Sequence, residues 1–190
     1  MRLSIKEIFK STHGSYVVEP ASEDVVATGL VWDSREVSEG CIYLALPGER
    51  VDGRAFVTQA FGKGAVCALV MGDVDEAAMD AARDSGLAII SVANTYKAIE
   101  DLAAYWRGKL NGRVIGLSGS TGKTTTKNLV RDVLSAHGSV VATQGNQNNE
   151  IGVPKTLLSA EPDTTSGVVE MGMRGLHQLD ALCSFVKPSW

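Results

Sequence analysis

Residues 114–133, VIGLSGSTGKTTTKNLVRDV, constrain this chain more than any other stretch. An apolar run (Val114, Ile115, Leu117) enters a Gly/Ser turn, Lys123 and three threonines follow, and then a helical pattern opens. A strand, a glycine turn and a helix N-terminus in that order leave backbone N–H groups pointing outward, as a phosphate-binding loop requires. Gly119, Ser120, Thr121, Gly122, Lys123, Thr124 and Thr125 are the expected contacts of a nucleotide such as ATP. Lys123 can reach the outer phosphates as a point charge, and the Thr124 hydroxyl is placed to ligate Mg²⁺. The spacing departs from the strict G-x-x-x-x-G-K-[ST] pattern, because Leu117 stands where the first glycine belongs. The bland alternative is an ordinary strand-turn-helix carrying a surface lysine.

The rest of the chain reads as mixed α/β. Ser4-x-x-Glu7 has the form of a capping box opening a short helix with Ile5, Ile8 and Phe9 on one face. Strand-like runs fall at 25–32, 41–46, 65–70 and 87–92, with helical patterns at 54–63 and 76–84. A stronger helix is expected over 95–110, where Ile99, Leu102, Ala103 and Trp106 recur at helical spacing. This places a domain boundary near Asn94, with a front domain over 1–94 and a second over 95–190. Beyond the glycine turn come a helix (124–136), a strand (139–143), a helix (153–159), a strand (167–171) and a last helix (176–186). Strands alternating with helices point to parallel sheets.

Composition narrows the class. The 190 residues are 44% hydrophobic and 21% charged with a net charge of −4, so no electrostatic feature points to nucleic acid. Three cysteines without a C-x-x-C read as reduced thiols rather than a disulfide or metal framework. No apolar run approaches the ~20 residues of a membrane helix, and the first ten residues lack a signal-peptide core, so a cytoplasmic location is expected.

Three further clusters carry chemical meaning. The first is TQGNQNNEIGVP (143–154), rich in amides that suit either a polar ligand or turn and capping chemistry. In the second, VVEMGMRG (168–175), Glu170 ends an apolar strand. Ligands gather at the carboxyl ends of strands in open α/β sheets, so a carboxylate there can share Mg²⁺ with Thr124. Arg174 is either an assistant to an anionic ligand or a surface residue. The third cluster places Asp33-Ser34-Arg35 and Asp52-Gly53-Arg54 on either side of a strand. By themselves these are turn residues.

Taken together these segments resemble the Mur ligases, the ATP-dependent amide-forming enzymes of peptidoglycan synthesis. The D-S-R…G-x-x-x-x-A-L-x-G-x-x-x-D-G-x-x-F pattern is similar to the family's UDP-binding domain. G-L-S-G-S-T-G-K-T-T-T-K is similar to its phosphate loop, whose glycine stands four residues before the lysine, as Gly119 does. G-N-Q-N-N-E-I-G-V-P-x-T-L-L and E-M-G-M-R-G resemble the branch that adds D-alanyl-D-alanine to UDP-N-acetylmuramoyl-tripeptide through an acyl phosphate. The resemblance implies that Lys123, Glu170 and Asn149 act in catalysis and that Thr124 and Glu170 hold Mg²⁺. It also implies that Ser34, Arg35, Gly48 and Asp52 serve the uridine end of the substrate, with Asn148 and Asn149 along its path to the phosphates. One departure is Leu176-His177, where the family often has Pro-Gly. Members of the family also continue past a segment like Val186–Ser189 into the rest of the ATPase sheet and a C-terminal Rossmann-like domain. The expectation is therefore an inactive fragment. The alternatives are a diaminopimelate-adding or folylpolyglutamate-type ligase, or a nucleotide-binding module without ligase activity.

Overall fold

The computed structural model describes residues 1–48, 52–173 and 175–189. The chain divides into two compact units, Arg2–Ala98 and Ile99–Trp190, with Met1 counted in the latter.

In the first unit, β1 (Leu3–Ser4) leads into α1 (Ile5–Thr12). The capping box forms as expected: the Ser4 hydroxyl accepts from Glu7 N–H while the Glu7 carboxylate accepts from Ser4 N–H. That satisfies two helix-end groups reciprocally. Then come β2 (Ser15–Val18), β3 (Val26–Ala27), β4 (Gly29–Val31) and β5 (Cys41–Leu44). A 3₁₀ turn over Gly53–Phe56 runs into α2 (Val57–Gly62), followed by β6 (Cys67–Val70), α3 (Glu76–Ser85) and β7 (Ala88–Ser91). Strands β4, β5, β6 and β7 pair in parallel, and β2 closes one edge antiparallel to β7 in the order β2-β7-β6-β5-β4.

Two differences from the expected elements have local causes. The run 25–32 splits at Thr28, whose N–H donates to Gly40 O at 2.8 Å; β3 pairs with β1, while β4 joins the large sheet. Strand β2 was not expected at all, because its four residues carry only one buried side chain and no sustained alternation. The core is continuous: Val57, Ala60 and Phe61 of α2 and Ala78 and Ala82 of α3 pack with Tyr43, Ala68, Val70 and Ile89 of the sheet. Burial pushes the Cys67 thiol well above its ordinary range, which makes it an inert core residue.

Helix α4 (Thr95–Arg107) begins at the end of this unit and continues into the second. Asn94 caps it, its side-chain oxygen accepting from Tyr96 and Lys97 N–H at 2.8 and 3.1 Å. The second unit continues with β8 (Arg113–Leu117), α5 (Lys123–Ser135), β9 (Val140–Ala142), α6 (Gly152–Leu158), β10 (Ser166–Glu170) and α7 (Gln178–Val186). Its three strands are all parallel in the order β8-β10-β9, with Glu170 registered against Leu117. Helix α7 starts two residues later than expected because His177 takes a left-handed conformation (φ 65°). Such a conformation suits glycine and costs other residues about 1 kcal/mol or more. Among the described residues no helix is long and apolar enough to cross a membrane.

Candidate nucleotide and sugar-nucleotide sites

In the second unit β8 ends at Leu117 and α5 begins at Lys123, so the glycine turn bridges a strand end and a helix start. Gly122 takes a left-handed φ of 77° at the N-cap, and no side chain caps the helix. The first-turn N–H groups therefore lack a side-chain acceptor and, with the helix dipole, form an anion site. Lys123 Nζ donates to Gly119 O at 2.7 Å, folded back along its own loop.

Because β10 lies beside β8, Glu170 emerges next to this turn. Thr124 Oγ1 donates to Glu170 Oε2 at 3.0 Å, although the two are 46 residues apart in sequence. Asn148 Nδ2 donates to Glu170 Oε1 at 2.9 Å. The strand-end N–H of Glu170 donates to Thr143 Oγ1 at 2.9 Å, which ties the carboxylate to the loop after β9. Glu170 is only 1% exposed. A cavity of about 310 Å³ is lined by Ser120, Thr121, Gly122, Lys123, Thr124, Thr125, Asn146, Asn148 and Glu170. The loop and the strand-end carboxylate thus face one space.

Asn149 points elsewhere. Its side-chain oxygen accepts from Ile151 and Gly152 N–H at 3.3 and 2.9 Å, which is turn chemistry ahead of α6. The turn is tight: a Cβ on Gly152 would lie 2.3 Å from Gln147 O. Asn148 and Asn149 both line a second, smaller cavity of about 130 Å³ with Glu100, Gly172 and Leu182. Arg174 lies outside the described residues.

The donor set at Thr124 and Glu170 is a hydroxyl and a carboxylate, hard oxygens that suit Mg²⁺. Among the described residues no group of three or more His, Cys, Asp and Glu is placed to hold a metal.

Lys127 was missed by the sequence reading. Its side chain is 3% exposed, its Nζ donates to Gly145 O at 3.1 Å, and it lies 3.8 Å from Glu170 Oε2. The available signal was a second lysine four residues after Lys123, one turn along the same helix face.

The first unit holds a separate cavity of about 520 Å³, lined in part by Trp32, Ser34, Arg35, Tyr43, Pro47 and Gly48. Ser34 is 8% exposed, and its carbonyl accepts from Lys63 Nζ at 2.7 Å. The Arg35 side chain is 86% exposed and forks onto Asp33, with Nη2 to Oδ2 at 2.6 Å. Hydrogen bonds from Arg35 hold the Asp33 carboxyl down at about 2. Tyr43 donates its hydroxyl to Gly53 O at 2.9 Å, and burial pushes its phenol up to about 12. Asp52 is not part of this lining. It caps the 3₁₀ turn by accepting from Arg54 N–H at 2.9 Å and pairs with the Arg54 guanidinium. Residues 49–51 lie outside those described.

The model of the Mur ligase family, catalytic domain, matches residues 26–107, and that of the Mur ligase middle domain matches residues 117–190. A UDP-N-acetylmuramoyl-tripeptide–D-alanyl-D-alanine ligase of Synechocystis sp. is 40% identical over 168 residues, covering 88% of this chain and 36% of that protein. The Bacillus subtilis protein of the same name is 35% identical over 188 residues, covering 99% of this chain and 40% of its own length. Among solved structures, MurF from Acinetobacter baumannii superposes with a TM-score of 0.84 at 30% identity, covering 99% of this chain and 40% of that one. MurF ligase from Thermotoga maritima in complex with ADP gives a TM-score of 0.72 at 30% identity, covering 85% of this chain and 36% of that one. The chain thus spans about two fifths of the length of the relatives it matches. Two successive Mur ligase segments, a glycine turn facing a strand-end carboxylate, and a fold shared with MurF structures together establish that this chain belongs to the Mur ligase family.

Proposed function

We propose that the whole protein is an ATP-dependent amide ligase that joins D-alanyl-D-alanine to UDP-N-acetylmuramoyl-tripeptide in peptidoglycan synthesis. The observation that carries this reading is the meeting of Lys123, Thr124 and Glu170 at one cavity, in a chain 40% identical to a protein named for that reaction. In this reading the α5 N-terminus and Lys123 bind the β- and γ-phosphates of ATP. The tripeptide carboxylate takes the γ-phosphoryl group to give an acyl phosphate and ADP. The dipeptide amine then attacks the carbonyl carbon, and phosphate leaves. Bringing two anions together is the main obstacle, so positioning and charge neutralisation dominate. Thr124 and Glu170 would hold Mg²⁺, which supplies charge neutralisation at the phosphates. Asn148, bonded to Glu170, keeps that carboxylate oriented. Ser34, Arg35 and Gly48 would hold the uridine diphosphate end, with Asp52 shaping the loop that follows.

The reading is tested first by nucleotide binding. Lys123→Ala removes a charge-assisted contact and should weaken Mg²⁺–ADP binding by about 1.5–3 kcal/mol in calorimetry; equal affinities would remove the loop from the site. ADP formation by the whole protein should then require both the UDP-linked tripeptide and D-alanyl-D-alanine. Equal turnover with diaminopimelate or glutamate as the amine would point to another ligase of the family.

A further inference from the structure

Lys127 has no part in the chemistry above, yet it is the one buried residue of α5, while Leu129 and Val133 of the same helix are 63% and 65% exposed. A helix that leaves its leucine in water and buries an ammonium is not using that position for packing, since burying a charge is costly unless it is paired. The pairing partner is the carboxylate of the nucleotide site. Lys127 Nζ lies 3.8 Å from Glu170 Oε2, the oxygen that also accepts from Thr124, and both side chains are at most 3% exposed. On its other side the ammonium donates to Gly145 O, which fixes it in place.

We infer that Lys127 is a positioning residue that neutralises Glu170 in advance, so that a divalent cation is retained at Thr124 and Glu170 only together with nucleotide phosphates. The inference rests on the proposal that this loop binds a Mg²⁺–nucleotide. The physical reason is the local charge. Lys123 at the cavity and Lys127 beside it set two positive charges against the one carboxylate of Glu170 before any ligand arrives. A bare divalent ion meets repulsion there from the two ammonium groups. The phosphates of a nucleotide reverse the sign and bring the ion's remaining oxygen ligands.

Mn²⁺, read by electron spin resonance as a stand-in for Mg²⁺, provides the test. The unaltered chain should bind Mn²⁺–ADP but retain no Mn²⁺ without nucleotide. Lys127→Met and Lys127→Gln should each gain nucleotide-independent Mn²⁺ binding, tighter than the unaltered chain by about tenfold or more. Adding Glu170→Gln should abolish the gain, and Lys127→Arg, which keeps the charge, should not show it. A merely structural lysine would yield no such gain. Lys127→Gln keeps a donor for Gly145 O and so decides the matter if Lys127→Met does not fold. The inference is overturned if folded neutral variants bind Mn²⁺ no better than the unaltered chain. It is equally overturned if the unaltered chain already holds Mn²⁺ without nucleotide, or if both neutral variants unfold. Failure of the unaltered chain to bind Mn²⁺–ADP would instead strike the nucleotide reading itself.

Discussion

The two candidate sites are built on opposite plans. In the first unit charged residues are held by their near neighbours: Asp33 pairs with Arg35 at the cavity, and Asp52, outside its lining, pairs with Arg54, each two residues apart. The Arg35 side chain is 86% exposed. In the second unit the contacts run across the sheet. Thr124 meets Glu170 over 46 residues, Asn148 meets it over 22, and Lys127 reaches Gly145 over 18. There Lys127 and Glu170 are buried. A site made of turns can change its side chains without disturbing the core. A site made of buried, mutually paired charges is also part of what keeps its unit folded, because each group depends on the others for its desolvation.

The largest expected effect sharpens that contrast. Glu170→Ala would leave the Lys127 ammonium buried without its carboxylate, and breaking such a pair costs about 3–5 kcal/mol. Chemical denaturation of the variant should show a loss of that size. A loss below about 1 kcal/mol, within the range of exposed pairs, would mean that the second site is no more structural than the first. Arg35→Ala should do the reverse. Its stability should stay within about 0.5 kcal/mol of the parent, as surface substitutions do. Binding of uridine diphosphate should weaken by about 1.5–3 kcal/mol if the guanidinium contacts the diphosphate. Unchanged affinity in calorimetry would move the uridine site away from Arg35.

The smallest effect is a pH dependence. Asp33 is held at about 2, below its ordinary 3.8, by hydrogen bonds from Arg35. A depressed carboxyl favours the folded state above its ordinary value. That contribution is lost as pH falls from about 3.8 through about 2. The pair is exposed, so salt should weaken it. An NMR titration should show the Asp33 midpoint returning toward its ordinary value in Arg35→Ala; a midpoint that does not move would show that the fork onto Asp33 does not hold it down.

Much of this molecule was legible in the residues alone. The Ser4–Glu7 capping box, the helix starting at Thr95 and the strand-turn-helix around Gly122 depend on groups a few residues apart, so their dihedral preferences and caps can be read locally. Glu170 was placed at a strand end by its apolar run, and its neighbour Thr124 by the loop motif. What the sequence left open are the features decided by pairing over long distances. Strand β2 exists because β7 offers it an edge. Asn149 sits in a turn while the adjacent Asn148 reaches Glu170. Lys127 looks like any lysine on an amphipathic helix until β10 brings a carboxylate within 3.8 Å of it. Local propensity names the elements because it acts over one or two turns of chain. Burial selects among their side chains, and which of them lose water is determined only when distant strands come together.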